Sequence, residues 1–250
     1  MDRKGRLDDD IFVPDRKTID EVFDKSTLDV LYDLMAHDHI AYVDYPISTG
    51  KEAKVFRALA PDDTPLAVKI MRLSTSVFKE YRKYIEGDYR FKKVGKGRRL
   101  IYMWTKKEYS NLKRMHKASI KVPEPITFSK NVLVMRLIED QGVAAPMLKD
   151  VKLSSHDLSY IYEEILKDYK SMVNDVQLIH GDLSEYNILL SQGVPYLIDV
   201  SQSVPTSHPM ADELFMRDVN NIERYFKKCG IETSEDIIME TIMGGDDEHA

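Results

Sequence analysis

Residues 178–187 read Leu-Ile-His-Gly-Asp-Leu-Ser-Glu-Tyr-Asn, and residues 197–199 read Leu-Ile-Asp. Asp182 and Asn187 stand five residues apart in a polar stretch, and Asp199 ends a short apolar run. With this spacing, phosphotransferases place a base and two metal ligands around a triphosphate. A single His-Gly-Asp is usually a turn and a single Ile-Asp usually a strand end, but the combination is much rarer. It predicts a phosphate-covering loop and a charged lysine farther upstream.

A candidate loop of this kind lies between two predicted strands, 42–47 and 53–59. Small residues there let backbone N–H groups approach phosphate oxygens. The pattern overlays the kinase glycine-rich loop, with Ser and Ala in place of its outer glycines. It contains Ser48, Thr49, Gly50, Lys51, Glu52, Ala53 and Val55. The Walker A loop is excluded, because Tyr45 stands where its first glycine belongs and Glu52 where it needs Ser or Thr.

The candidate lysine is Lys69, which lies in the predicted apolar strand 66–70. An unpaired charge there would be costly to bury, so Lys69 needs an anionic partner. Periodicity predicts a helix over 102–117 with Trp104, Glu108, Leu112 and Met115 on one face. Glu108 is the only carboxylate on this stripe, and pairing would let it hold Lys69 against nucleotide phosphates. The alternative is a glutamate at the edge of the stripe with its head in water.

These segments together resemble the RIO kinases. The resemblance is carried by residues 48–53, 180–187 and 198–204. They look like the first RIO subfamily, in an archaeal-like minimal form, rather than the second, which carries an N-terminal winged-helix domain. Only about forty residues precede the nucleotide loop, too few for that domain. The resemblance implies an atypical serine/threonine protein kinase or ATPase with a role in maturation of the small ribosomal subunit.

The predicted fold class is α+β, with the two lobes of a protein kinase. Residues 1–40 are expected to form an N-terminal helical extension, with Ser26 and Asp29 in a capping arrangement. Residues 41–138 are expected to form an N-lobe of antiparallel sheet plus helix, and 139–250 a reduced, mainly helical C-lobe. The C-lobe includes a long predicted helix from Ser155 to Asn174 and a last helix around Phe215 to Phe226.

The roles of the site residues follow from phosphoryl-transfer chemistry, in which positioning and charge neutralisation dominate. Lys69 is expected to bind phosphate, and Asp182 to accept the proton of the attacking hydroxyl or water. Asn187 and Asp199 offer hard oxygen ligands for Mg²⁺ or Mn²⁺. His180 is expected to shape the loop through hydrogen bonds. Ser184 and Glu185 are counted with the ATP-contacting residues.

The adenine of ATP is expected at a hinge formed by residues 135–139, at the end of the predicted strand 132–137. In the kinase arrangement Met135 stands at this hinge, and backbone groups of Arg136 and Ile138 face adenine. Only 51 residues follow Asp199, too few for an activation loop and a peptide-docking region. ATP turnover is therefore better supported than phosphorylation of a docked peptide.

Composition is typical of a globular, intracellular enzyme, expected in the cytoplasm. Hydrophobic residues make up 43% and charged residues 31% of the 250 residues, as in folded domains. A single cysteine, Cys229, excludes an internal disulfide and a cysteine cluster for zinc. No apolar run approaches membrane-spanning length, and no targeting signal is visible.

Charge is unevenly distributed around the net value of −6. Between residues 74 and 99, nine basic residues face three acidic ones: Lys79, Arg82, Lys83, Arg90, Lys92, Lys93, Lys96, Arg98 and Arg99 against Glu80, Glu86 and Asp88. We interpret 74–100 either as a flexible basic insertion in the N-lobe or as a surface for RNA phosphates or an acidic protein. The seven acidic residues beyond Ile231 are expected to form a solvated end or a weak competitor for the basic segment.

Three functions remain open from the sequence. The first is a RIO-type, metal-dependent transfer of the ATP γ-phosphate to serine or water. The second is a small-molecule kinase, since aminoglycoside kinases use similar His-Gly-Asp loops, although a long substrate-binding helical region is missing. The third is a nucleotide-gated factor that binds a particle preceding the small ribosomal subunit, through its RNA or proteins, and hydrolyses ATP for release.

Overall fold

The first helix packs on the back of the N-terminal sheet. The computed structural model describes residues 24–73 and 78–244, so most of the predicted extension lies outside the described residues. Helix α1 (Lys25–Ala36) is capped by Asp24, which accepts N–H bonds from Ser26 and Thr27. The predicted cap at Ser26 and Asp29 is wrong, because the carboxylate of Asp24, one residue before the helix, accepts the first free N–H groups of the helix.

A five-stranded antiparallel sheet forms the N-lobe. The elements of this lobe are β1 (Tyr42–Thr49), β2 (Ala53–Leu59), β3 (Pro65–Met71), α2 (Phe78–Ile85), α3 (Arg98–Lys117), β4 (Pro125–Ser129) and β5 (Val132–Arg136). The strand order is β1-β2-β3-β5-β4, which places β3 in the centre. Strand alternation sends Leu66, Val68 and Ile70 of β3 into the cluster under α1. Lys69 therefore faces the opposite side, toward α3.

The described part of the basic segment packs against α3, and the flexibility suggested by its composition stays a prediction. Tyr81, Tyr84 and Ile85 are buried in the core. The ring of Tyr81 stacks on Trp104 of α3, with centroids 4.2 Å apart and planes inclined by 7°. Aromatic and aliphatic side chains interleaved with the charges thus anchor this segment against α3.

A mainly helical lobe follows β5. Its elements are β6 (Glu139–Asp140), β7 (Val143–Ala144), a 3₁₀ turn (Leu148–Asp150), α4 (Ser155–Asn174), β8 (Leu178–Ile179), β9 (Ile188–Ser191), β10 (Val194–Leu197), β11 (Val204–Pro205), α5 (Ala211–Lys228) and α6 (Glu235–Met243). Helix α4 has the bounds predicted for it. Short strand pairs β8–β11 and β9–β10 frame the loop that carries Asp182, and Asp199 stands two residues after β10.

The acidic C-terminal segment is partly structural. Ile238 and Ile242 of α6 are fully buried, and the Asn174 amide donates to the carbonyl of Ile242 at 2.7 Å. The expected solvated end is therefore wrong for residues 235–243. No helix in the described part of the chain has both the length and the apolar character needed to cross a membrane.

Candidate active site

A cleft of about 920 Å³ separates the sheet from the helical lobe, and most of the predicted site residues line it. The predicted residues that line it are Ser48, Gly50, Lys51, Glu52, Ala53, Val55, Lys69, Glu108, Met135, Arg136, Ile138, Asp182, Asn187 and Asp199. Thr49, Ser184 and Glu185 lie outside the lining. Thr49 pairs with Lys54 in the β1–β2 hairpin, and the Ser184 carbonyl accepts the N–H of Asn187.

Lys69 bridges two carboxylates at the back of the cleft. Its Nζ lies 2.7 Å from Oε1 of Glu108 and 2.9 Å from Oδ1 of Asp199. The contact with Glu108 is the one that helical periodicity predicts, and the contact with Asp199 was not anticipated. Burial opposes the charge of Lys69, but the two carboxylates outweigh it and raise its pKa. The lysine therefore remains a fixed positive charge in the cleft.

A double-mutant cycle on Lys69→Met and Glu108→Leu measures this pair. Lys69→Met strands the buried Glu108 carboxylate, and Glu108→Leu leaves Lys69 with Asp199 alone. The two single losses of unfolding free energy should therefore together exceed the double-mutant loss by about 1–3 kcal/mol. Urea unfolding provides the measurement. The pair Lys227–Glu223 on α5, whose lysine is exposed, serves as control, and its coupling should be much smaller. Additive losses at Lys69 and Glu108 would remove the pair as an energetic unit.

Asp182 is held at the mouth of the cleft by two side-chain amides. Asn187 Nδ2 donates to the carbonyl of Asp182 at 2.8 Å and to its Oδ2 at 3.1 Å. Gln202 Nε2 donates to the same Oδ2 at 3.4 Å. Gly181 has a φ of +80°, and a Cβ there would lie 3.3 Å from the carbonyl oxygen of Gln202. The glycine therefore permits both the left-handed turn and the close approach of these two loops.

His180 connects the Asp182 loop to the end of β10. Its Nδ1 accepts the N–H of Asp182 at 3.3 Å, so Nε2 carries the proton and donates to the carbonyl of Ile198 at 3.1 Å. Burial lowers the pKa of His180 to about 4, which keeps the ring neutral. This geometry matches the loop-shaping role expected from the sequence.

Asp218 of α5 anchors the loop that carries Asp182, and the sequence analysis did not predict this residue. Its carboxylate accepts N–H bonds from Gly181 at 2.7 Å and Leu183 at 2.8 Å, and the hydroxyl of Tyr169 at 2.8 Å. Burial raises the pKa of Asp218 to about 7, against the effect of these hydrogen bonds. Asp218 lies between Leu214 and Ile222 at helical spacing, so the periodicity that located Glu108 could have located it as well.

The two cleft aspartates differ in basicity. Burial raises the pKa of Asp182, an effect that the Arg217 guanidinium opposes and the charge of Asp199 increases. Burial also opposes ionisation of Asp199, yet the ion pair with Lys69 outweighs it and lowers the pKa of Asp199. Divergent pKa values within one site are typical of carboxylates with different roles. Asp182 is thus the better proton acceptor, and Asp199 the better permanent anion.

The hinge backbone is partly engaged within the protein. The N–H of Arg136 donates to the carbonyl of Glu124 at 2.8 Å, and the carbonyl of Ile138 accepts from Ala145 at 2.9 Å. These two bonds do not use the Arg136 carbonyl or the Ile138 N–H, and both residues line the cleft. Leu137 between them donates to Pro65 and ties the hinge to β3 at 3.1 Å.

Comparison with known proteins assigns the family. A model of the RIO domain matches residues 54–238. A Haloferax volcanii protein named RIO-type serine/threonine-protein kinase Rio1 is 38% identical over 233 residues, which cover 93% of this chain and 79% of that protein. The chain belongs to the RIO kinase family. A Methanocaldococcus jannaschii protein of the same name has the same identity and coverage over 234 residues. Membership makes the chain an ATP-dependent phosphotransferase of the serine/threonine kinase class.

Eukaryotic relatives are longer, and solved RIO structures share the fold. A human protein named serine/threonine-protein kinase RIO1 is 38% identical over 220 residues, which cover 87% of this chain but 39% of that protein. The Rio2 kinase structure from Chaetomium thermophilum aligns with a TM-score of 0.68 and 25% identity, over 90% of this chain and 70% of that chain. Its complex described as ADP/Mg²⁺-phosphoaspartate aligns with a TM-score of 0.65 and 22% identity, over 85% of this chain and 64% of that chain. The kinase-like fold and the similarity to Rio1 proteins confirm the fold class and the family expected from the sequence.

Proposed function

We propose that this RIO kinase transfers the γ-phosphate of ATP to a serine hydroxyl or to water, with one divalent cation held by Asn187 and Asp199. The observation that carries the proposal is the arrangement around Lys69. This buried cation contacts Glu108 and Asp199 in the cleft that Asp182 and Asn187 also line. A phosphate-binding cation, two metal ligands and a base thus share one cleft, as phosphoryl transfer requires.

The oxygens of Asn187 and Asp199 fit Mg²⁺ or Mn²⁺. Asn187 uses its amide nitrogen for Asp182, so its Oδ1 points the other way. Oδ1 of Asp199 accepts from Lys69 and Ser201, which leaves Oδ2 for a cation. Mg²⁺ prefers one or two protein oxygens together with water and nucleotide phosphates. When bound, the cation neutralises the charge that develops on the phosphates.

The remaining roles belong to the chain itself. The turn of Gly50 to Ala53 closes through a bond from Gly50 N–H to the Ala53 carbonyl at 2.9 Å, and it would cover the phosphates. The Arg136 carbonyl and the Ile138 N–H would bind the adenine edge. Asp182 would take the proton of the attacking hydroxyl or water, since burial raises its pKa above the ordinary value of an aspartate.

The fate of the γ-phosphate tests the proposal. The full chain is incubated with γ-labelled ATP and Mn²⁺, and the label is followed on protein, on the enzyme and in solution. Acid-stable label on serine supports kinase activity, and free phosphate supports ATPase activity. Hydroxylamine-labile label on the enzyme indicates a carboxyl phosphate of the kind named in the Rio2 complex. Turnover that does not depend on metal, or transfer only to an aminoglycoside, would contradict the proposal.

A second candidate function, binding to ribosomal RNA of a small-subunit precursor, is supported by unpaired surface cations. Arg90, counted with the basic residues in the sequence, is engaged internally by Asp88 and Asn111. Five other cations are exposed, and none forms an ion pair within residues 24–73 and 78–244: Lys92, Lys93, Lys96, Arg98 and Arg99. The only carboxylate of the adjacent helix α3 is the buried Glu108, so nothing on that helix neutralises them. Such a surface is complementary to nucleic-acid phosphates.

A charge-matched pair of variants tests this surface. Changing Lys92, Lys93, Arg98 and Arg99 to Ser should weaken binding to small-subunit RNA and flatten its salt dependence, by roughly 0.7 in slope for each phosphate that is no longer neutralised. ATP turnover of the free enzyme should hardly change. In the control, four exposed lysines of the helical lobe are changed to Ser: Lys152, Lys167, Lys227 and Lys228. Equally weakened binding in both variants would mean that only net charge matters.

A further inference from the structure

Lys107 is a buried lysine whose hydrogen bonds go to main-chain carbonyls. Its side chain is fully buried in α3, one residue before Glu108. The ammonium donates to the carbonyls of Ser201, at 2.9 Å, and Ser203. Among the described residues, no carboxylate forms an ion pair with it. The ammonium also lies over the ring of Trp104, 5.5 Å from its centroid. A buried lysine that forms no ion pair is costly to maintain, so its bonds to these carbonyls indicate a positioning role.

Asn111, one helical turn after Lys107, binds the same segment, residues 200–203. Its Nδ2 donates to the carbonyls of Val200 at 2.8 Å and Ser203 at 3.0 Å. Arg90 donates to Oδ1 of Asn111 at 2.8 Å, and a guanidinium can only donate. The orientation of the amide is therefore determined, with its NH₂ group toward residues 200–203. Asp88 in turn holds Arg90 through two bonds, of 2.8 and 2.6 Å.

The segment that these side chains hold begins at the cleft. Asp199 has a φ of +56°, a left-handed conformation that is uncommon for residues with a Cβ, although aspartate tolerates it better than most. The next residues form no strand or helix until β11, and three of their carbonyls point at Lys107 and Asn111. Buried carbonyls outside regular structure need such donors. The Ser201 hydroxyl connects this segment to Asp199, because its Oγ donates to Oδ1 of Asp199 at 2.8 Å.

We propose that Lys107 and Asn111 are positioning residues that hold residues 200–203 and thereby present the Asp199 carboxylate to the metal. The proposal rests on the metal role given to Asp199 under the proposed function. Because Glu108 lies between them on the same helix, one rigid element places both partners of Lys69. The packing of Asp88 and Arg90 against Asn111 ties the folded basic segment to the same arrangement.

Hydrogen exchange and metal titration together test the proposal without relying on activity. In Lys107→Met and Asn111→Leu, amides of residues 200–204 should exchange about tenfold faster or more in the free protein, because local opening becomes easier. Affinity for Mn²⁺ in the presence of ADP should fall roughly tenfold, the usual effect of losing a group that orients a metal ligand. ADP binding without metal should stay close to that of the parent.

Lys106→Met is the matched control, since Lys106 is the exposed neighbour on α3. It should change neither exchange nor Mn²⁺ affinity. If Lys107→Met fails to fold, Asn111→Leu, which removes the donor to Val200 and Ser203, carries the test. Unchanged Mn²⁺ affinity in folded Lys107 and Asn111 variants would overturn the proposal, even if exchange became faster. A parent that binds Mn²⁺ but never turns over ATP would contradict the proposed function and leave this test intact.

Discussion

Replacement of Asp182 by asparagine is expected to lower ATP turnover by roughly 10² to 10⁴ while leaving ATP affinity near that of the parent. The side chain accepts bonds from Asn187 and Gln202, and an asparagine oxygen can accept the same bonds. The substitution therefore keeps the loop in place and removes only the basicity of the carboxylate. Steady-state turnover and calorimetric titration with MgATP provide the two measurements.

Asp63→Asn is a suitable control for this substitution. Asp63 lies in the exposed turn between β2 and β3 with a φ of +64°, a conformation that asparagine tolerates well. The ATP turnover of Asp63→Asn should equal that of the parent. If Asp182→Asn turned over ATP at the parental rate, the proton acceptor would have to be another group. A matching loss of ATP affinity would instead indicate that Asp182 helps to hold the metal-bound nucleotide.

Replacement of Asp199 by alanine is expected to abolish the contribution of metal to nucleotide binding. The loss should be on the order of 10²-fold or more in affinity for MnATP, since the charge stabilisation by a bound cation is worth several kcal/mol. Affinity for metal-free ATP should be retained, because Lys69 keeps Glu108 as a partner at 2.7 Å and is released from Asp199. Calorimetry with and without Mn²⁺ separates the two effects.

Asp199→Asn refines this prediction. It keeps an oxygen ligand but loses the negative charge, so its loss of Mn²⁺-dependent affinity should fall between those of the parent and Asp199→Ala. Equal affinity of Asp199→Ala and parent for MnATP would exclude Asp199 as a ligand. A loss of metal-free ATP binding in both variants would point to a structural role, through Lys69 and Ser201.

Local regularities of the chain were sufficient for the parts of the site that lie on single elements. The helical period placed Glu108 beside Trp104 and Leu112, and all three are buried on the predicted face. The cost of burying an unpaired charge in an apolar strand required a partner for Lys69, and the pair forms at 2.7 Å. Spacing alone put Asp182 and Asn187 on one loop, where their side chains meet. Each prediction depends on the geometry of one element and a short stretch of sequence.

Amino-acid composition was a poor guide to the packing of two charged segments. For the charged segment after β3, composition left a flexible insertion and a phosphate-binding surface open, and it did not indicate that Tyr81 stacks on Trp104 or that the Asp88 carboxylate pairs with Arg90. The acidic end beyond Ile231 was expected to be solvated, yet two isoleucines at a spacing of four bury one face of α6. Net charge describes a segment on average, whereas burial depends on a few apolar side chains with a surface to cover.

The sequence by itself determined the order of the parts: a glycine-containing loop, Lys69, Glu108, Asp182 with Asn187, and Asp199. Only the tertiary structure decided how these parts support one another. It joined Lys69 to Asp199, which lies 130 residues away, and it brought Asp218 of α5 under the Asp182 loop. It also set Lys107 against the segment after Asp199. The physical reason is that such contacts join elements distant in the chain, and their partners follow from the packing of the two lobes rather than from any local period.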